Sequence, residues 1–347
     1  MTDDATMIAR KQGHAGWLTF NRPKALNALD HEMAEVLEAA LDDWRDDPEV
    51  KLLIIDAAGD RAFCAGGDIA AIYHAGRAGD FTSGPAFWRD EYRMNAKIKE
   101  YPKPIVAFMQ GFVMGGGVGV GGLTSHRVVG DSTQIAMPET GIGLIPDVGG
   151  TLLLARAPGR LGEYLGVTGS RFGAADALLT GFADVYVPEA DWSALKDRLA
   201  QTGDVGMIPA GLAPQVPSRL APLQAEIDAA FSAGSVQAIA AALEASGTEF
   251  AAETLKVIRR NSALSEECTL QLVRMTRETP DIRSALSNEF RFTSRALEHA
   301  EFLEGVRAQI IDKDRNPQWR YRLDNLPGAV VARLLAPLPE GQGLSFE

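Results

Sequence analysis

Two periods of apolar residues alternate along the first half of the chain. Short runs of mostly apolar or β-branched residues at 16–20, 52–56 and 105–109 predict strands. Between the first two, Met33, Val36, Leu37, Ala40, Leu41 and Trp44 recur at helical spacing, and Asp30 stands where an N-cap is needed. The alternation continues to about residue 187, which predicts an α/β domain of repeated strand-helix units.

The pattern then breaks. Residues 201–222 carry Pro209, Pro214, Pro217 and Pro222 among glycines, a composition that reads as a linker. From 223 the chain is rich in Ala, Glu and Arg with helical periodicity, and Ser265, followed by Glu266 and Glu267, is the expected cap of one of its helices. The expected organisation is a core at 1–200, a Pro/Gly-rich linker at 201–222, a helical region at 223–336 and a tail at 337–347.

Composition narrows the class. With 347 residues, 46% of them hydrophobic, the chain can bury a core with a substantial extension. No run approaches the ~18 apolar residues of a membrane-spanning helix, and residues 1–13 have neither an apolar signal core nor an Arg-rich amphipathic pattern. Cys64 and Cys268 form no C-x-x-C pair and no disulfide framework, which fits a reducing compartment and a cytoplasmic location; both read equally as small buried hydrophobes. Forty-six acidic against 34 basic residues give a net charge of -12, which argues against a nucleic-acid or membrane surface. An anionic ligand must therefore be held locally. The chain has no Walker loop, no H-E-x-x-H and no G-x-S-x-G, and His14, His31, His74, His126 and His299 are scattered.

Glycine marks where chemistry is to be sought, since 12 of the 35 glycines fall between Gly111 and Gly150. Gly115, Gly116 and Gly117 lie between an expected strand and an expected helix, where backbone N–H groups are unpaired and no side chain blocks approach. FCAGGDI at 63–69 is a second strand-to-helix turn with paired glycines. Two such turns can offer one N–H each to a single thioester oxygen, as an oxyanion hole requires. Tight turning and close packing are the alternative reading of the same glycines. Gly117, Gly119 and Gly122 also satisfy G-x-G-x-x-G, which raises a dinucleotide site, although several residues intervene between the strand at 105–109 and the first of these glycines.

Glu139 and Asp147 stand eight residues apart in a Pro/Gly-rich loop, where a partly desolvated carboxylate can act as general base or nucleophile. For Asp147 the alternative is an N-cap on a helix over 149–156.

Taken together, FNRPKALNAL at 20–29, FCAGGDI at 63–69, GFVMGGG at 111–117 and MPET at 137–140 resemble the crotonase (enoyl-CoA hydratase/isomerase) superfamily over residues 13–190. The resemblance implies a spiral of stacked ββα turns, an α/β crotonase-like core with a C-terminal helical extension. It implies acyl-CoA as the small-molecule partner and an oxyanion hole from the N–H groups of Gly67 and Gly116. It lays Lys24, Ala25 and Leu26 against coenzyme A, counts Ala65 and Asp68 with the same binding motif, and matches Glu91 to a substrate-contacting glutamate, for which a solvated helix face is the alternative. Typical hydratases carry a catalytic glutamate where this chain has Gly119; their second one is matched by Glu139, and Asp147 replaces a usual glycine.

Together with DKDRNPQW at 312–319, these positions resemble the 3-hydroxyisobutyryl-CoA hydrolase branch. That branch implies hydrolysis of a 3-hydroxyacyl-CoA thioester in valine degradation, with no metal or redox cofactor, coenzyme A being part of the substrate. Alternatives are a hydratase or isomerase on the same fold, a non-catalytic acyl-CoA-binding protein and, least favoured, a nicotinamide-dependent enzyme. A homo-oligomer stays open, because relatives form trimers or paired trimers.

Overall fold

Leu52, Leu53, Ile54 and Ile55 are all fully buried, so the strand they form is covered on both faces. In the structure, a computed structural model that describes residues 5–346, this strand lies in the middle of a six-stranded sheet. The strands are β1 (Met7–Gln12), β2 (Ala15–Phe20), β3 (Leu52–Ala57), β4 (Ala62–Cys64), β5 (Ile105–Met109), β6 (Phe112–Met114), β7 (His126–Val129), β8 (Gln134–Ala136) and β9 (Val185–Tyr186). The larger sheet has the order β1-β2-β3-β5-β7-β9, and β4-β6-β8 form a second sheet. Among the described residues only the β1-β2 pair is an antiparallel ladder; the other ladders run parallel, with Leu53 opposite Ile105 and Val106 opposite His126.

The chain thus enters the larger sheet, crosses to the smaller, and begins again. β3 leads to β4 and the helix Ile69–Arg77, and β5 leads to β6 and the helix Gly116–Gly121. β7 leads to β8 and a 3-10 turn at Glu139–Ile142. This is the ββα succession that the resemblance implies.

Two compact units share the chain. The first comprises the chain up to Gly67, Asp90–Ala136 and Arg171–Ala221; the second comprises Asp68–Arg89, Met137–Ser170 and the chain from Pro222. In the first unit, Trp17, Leu52, Ile54, Val106, Phe108 and Val128 from the large sheet pack with Trp192, Leu195 and Leu199 of the helix Trp192–Thr202. The helix His31–Arg45 starts as expected, Asp30 accepting from the N–H of Met33 at 2.9 Å. Beyond Thr202 the segment makes short turns at Val205–Met207 and Ala221–Leu223. Buried Asp176 fastens its end by accepting from the Ser218 hydroxyl at 2.6 Å and the Leu220 N–H at 3.0 Å.

The second unit is helical. Its helices include Gly150–Arg156, Glu249–Arg260, Ala263–Glu278, Ile282–His299 and Phe302–Val306. Ser265 is not the cap that its sequence context suggests. Ser262 is, accepting from the Ser265 N–H at 3.1 Å, because its own N–H is held by the Thr140 carbonyl at 3.1 Å and fixes the helix start three residues earlier.

Candidate active site

In the first unit, β4 ends at Cys64 and the chain turns through Ala65, Gly66 and Gly67. Gly66 has φ of +115°, which L side chains rarely adopt, and its carbonyl accepts from the Leu29 N–H at 2.9 Å. Leu29 and Gly67 form a parallel β-bridge, and Leu26 accepts from the Ala65 N–H at 3.1 Å. The expected coenzyme-binding segment is therefore laced to the FCAGGDI turn by backbone. Lys24 and Ala25 are exposed in a 3-10 turn, Pro23–Ala25, while Leu26 is half-buried with φ of 53°.

Asn27 fixes that loop, and sequence reasoning missed it. Its fully buried amide accepts from the Arg22 N–H at 2.8 Å and donates to the carbonyls of Ala58 at 3.0 Å and Ala62 at 2.8 Å. The signal was present in FNRPKALNAL, because asparagine tolerates the left-handed backbone, φ of 55°, found at this position.

Gly116 opens a short helix next to this turn. A Cβ built on it would stand 3.5 Å from the Gly67 nitrogen, 3.4 Å from the Leu29 side chain and 2.9 Å from the Glu91 carboxylate. Gly67, Gly116 and Glu91 thus face one small space. Glu91 is only 2% exposed, so the solvated-face reading of it fails. At the next position packing alone demands glycine, since a Cβ on Gly117 would meet the Cys64 carbonyl oxygen at 2.2 Å. The helix Gly116–Gly121 also buries Gly119, and a Cβ on Gly121 would press on Met109 and Phe63. β6 ends at Met114, so a strand does lead into the glycine run, but Gly117 is accounted for by close packing against Cys64 with no call on a dinucleotide. Burial pushes the Cys64 thiol up to about 12, so it is no nucleophile at neutral pH.

In the second unit, Glu139 is the first residue of the 3-10 turn and is 5% exposed. The turn is held firmly. Thr140 donates to the Val167 carbonyl at 3.0 Å and accepts from the Asn261 amide at 3.1 Å. A Cβ on Gly143 would strike the Glu301 backbone at 2.5 Å, and one on Gly305 the Ile142 carbonyl at 2.2 Å. Ser262 donates to Glu301 at 2.6 Å, and Glu301 accepts from the N–H groups of Arg320 and Tyr321. Trp319 of the DKDRNPQW stretch donates to the Arg260 carbonyl at 2.8 Å. The helical region and its C-terminal signature therefore brace the Glu139 turn. Asp68, at the head of the helix Ile69–Arg77, is half-buried and makes no capping bond there.

Asp147 is 4% exposed and precedes two left-handed residues, Val148 with φ of 54° and Gly149 with φ of 80°. For a β-branched residue this conformation is strained by about 1–3 kcal/mol. The N-cap of the following helix is Gly149, so the capping role considered for Asp147 is not the one observed. Glu289 serves the helix instead, accepting from the N–H of Gly149 at 2.8 Å, the N–H of Thr151 at 3.0 Å and the Thr151 hydroxyl. Burial pushes the Glu289 carboxyl up to about 8, the Asp147 charge acting in the same direction and the hydrogen bonds against it. Sequence reasoning overlooked Glu289 too. Its signal is an acid at the buried-face spacing of Ile282, Leu286, Phe290 and Thr293.

Among the described residues no group of three or more His, Cys, Asp or Glu side chains is placed to hold a metal ion, and no helix is long and apolar enough to cross a membrane.

Comparison with known proteins bears on the family and the fold. A family model described as enoyl-CoA hydratase/isomerase matches residues 15–335. A Xenopus tropicalis protein named 3-hydroxyisobutyryl-CoA hydrolase, mitochondrial, is 39% identical, covering 92% of this chain and 86% of the relative. The Rattus norvegicus protein of the same name is 40% identical, covering 92% and 85%. A crystal structure described as an enoyl-CoA hydratase from Rhodobacter sphaeroides has a TM-score of 0.95 and 53% identity, covering 99% of this chain and 100% of that one. Another, described as a carnitinyl-CoA dehydratase from Mycobacterium thermoresistibile, has a TM-score of 0.94 and 40% identity, with 99% of each chain covered.

Proposed function

The chain belongs to the enoyl-CoA hydratase/isomerase family, and we propose that within it the protein hydrolyses a 3-hydroxyacyl-CoA thioester, 3-hydroxyisobutyryl-CoA, to the free 3-hydroxy acid and coenzyme A. The observation that carries this reading is 39% and 40% identity, each over 92% of the chain, to relatives named as that hydrolase. Glycine at 119, where a hydratase needs its second carboxylate, supports it.

In this reading the N–H groups of Gly67 and Gly116 hold the thioester oxygen as it gains charge, and Glu91 contacts the acyl group. Glu139 supplies the carboxylate. Two routes balance: Glu139 attacks the carbonyl, the C–S bond breaks and water then cleaves the anhydride, or Glu139 takes a proton from water as that water attacks. In both, the departing thiolate gains a proton, and Asp147 is assigned to the 3-hydroxyl or to that proton transfer. The donors are backbone and the base is a carboxylate, so the reading calls on no metal or redox group. A role in valine breakdown follows from the substrate, and a cytoplasmic location suits two buried, unpaired thiols.

A hydratase is the second reading, favoured by the 53% identity to the chain described as an enoyl-CoA hydratase. One experiment separates the two. Thiol release from saturated, enoyl and 3-hydroxyacyl-CoA esters is followed beside loss of enoyl absorbance; thiol from the 3-hydroxy ester without enoyl hydration is the expected result, and the reverse overturns the proposal.

A further inference from the structure

The helix Gly150–Arg156 begins beside Asp147, and a cap for it is available locally in the sequence. The chain does not use that solution. Its Gly150 N–H goes to the Asp147 carbonyl, and the donors on either side of it are met by Glu289, on the helix Ile282–His299, whose two carboxyl oxygens take the Gly149 N–H on one side and both Thr151 donors on the other. Thr151 is fully buried and also accepts from the Thr276 hydroxyl at 3.3 Å, so the clasp has its own support.

Between Asp147 and the clasp lies Val148, whose left-handed backbone persists only if its surroundings impose it. The Asp147 carbonyl, bonded to the Gly150 N–H at 2.6 Å, and the Glu289 bonds to Gly149 and Thr151 fix the turn on both sides of Val148. A carboxyl buried beside a second carboxyl loses its stabilising contribution as pH rises, which a neutral capping side chain would not, so a purely stabilising purpose is a poor account of Glu289.

We propose that Glu289 is a positioning residue for the reaction: by capping the helix from a distance it relieves Asp147 of that duty and fixes the strained Asp147-Val148-Gly149 turn, so that the Asp147 carboxylate is set for substrate. This rests on the proposed hydrolase reading only for the identity of the reaction. The arrangement itself is independent of whether the acyl-CoA ester is hydrolysed or hydrated.

A double-mutant cycle of Glu289→Gln and Asp147→Asn in the full-length chain tests it, with kcat and KM taken on a 3-hydroxyacyl-CoA ester and on its unsubstituted analogue. Glu289→Gln is expected to lower kcat for the 3-hydroxy ester about tenfold or more with KM little changed, to narrow the preference over the analogue, and to add nothing in the Asp147→Asn background. Additive losses, an Asp147→Asn variant with wild-type turnover, or equal effects on both esters overturn the inference. Where Glu289→Gln fails to fold, Thr151→Val, which removes one donor of the clasp, takes its place in the same cycle. Amide exchange in the peptide spanning 146–152 provides an arm that needs no turnover: Glu289→Gln is expected to speed it about tenfold while peptides of the β3-β5 ladder stay unchanged, and unaltered exchange overturns the proposal. Wild type that hydrates without releasing thiol sinks the hydrolase reading alone, and the cycle is then read on hydration.

Discussion

Glu289 accepts a hydrogen bond from the Gly149 N–H at 2.8 Å across 140 positions of sequence, and burial, helped by the charge of Asp147 two residues before that glycine, makes it hold its proton. The pairing gives the fold a pH signature. Below about pH 4.5 the carboxyl is protonated folded or unfolded; between 4.5 and about 8 only the folded chain keeps the proton. Stability from this group is therefore full at low pH and lost as pH rises through about 8, with a slope of up to ~1.4 kcal/mol per unit. Glu289→Gln cannot titrate. The thermal midpoint of wild type is expected to exceed that of Glu289→Gln most near pH 5, and the gap to shrink toward pH 8.

Gly116→Ala places a methyl group 3.5 Å from the Gly67 nitrogen and against the end of the Glu91 side chain. That side chain can give way, so the fold is expected to survive with a near-normal melting curve. Turnover should fall on the order of a hundredfold, the scale of a lost oxyanion donor. A steady-state thiol assay beside thermal unfolding checks both halves.

Gly117→Ala behaves differently because its methyl meets a backbone carbonyl, at 2.2 Å, rather than a movable side chain. We expect a destabilisation of about 1–3 kcal/mol, as for overpacked cores. Denaturant unfolding measures it, and activity should fall with the folded fraction.

Glu139→Gln keeps the size of a buried side chain and removes its charge and basicity. Thioester turnover is expected to drop by orders of magnitude while the affinity for an acyl-CoA ester, measured by calorimetry, persists. Near-normal turnover would remove Glu139 from the mechanism.

Ser262→Ala deprives Glu301 of a hydroxyl donor and the helix Ala263–Glu278 of its cap. The expected cost is about 2 kcal/mol. Because Glu301 also holds the N–H groups of Arg320 and Tyr321, limited proteolysis should cut the chain near residue 320 sooner than in wild type.

The sequence by itself determined the elements whose causes are local. Leu52, Leu53, Ile54 and Ile55 are a buried strand wherever they fold, and Asp30 caps the helix that follows it because donor and acceptor are three residues apart. The glycine turns at 63–69 and 115–117, and the family they mark, were legible for the same reason. What tertiary structure decided is which glycines serve packing and which leave a space: Gly117 meets Cys64, whereas Gly116 faces the Gly67 nitrogen and Glu91, and nothing in the spacing distinguishes them. It also decided the caps. Ser262 displaced Ser265 because Thr140, far away in sequence, holds its N–H, and Glu289 took the helix start that sequence would give to Asp147. A hydrogen bond is satisfied by whichever partner folding brings within reach, and over 140 positions only the packed chain knows which that is.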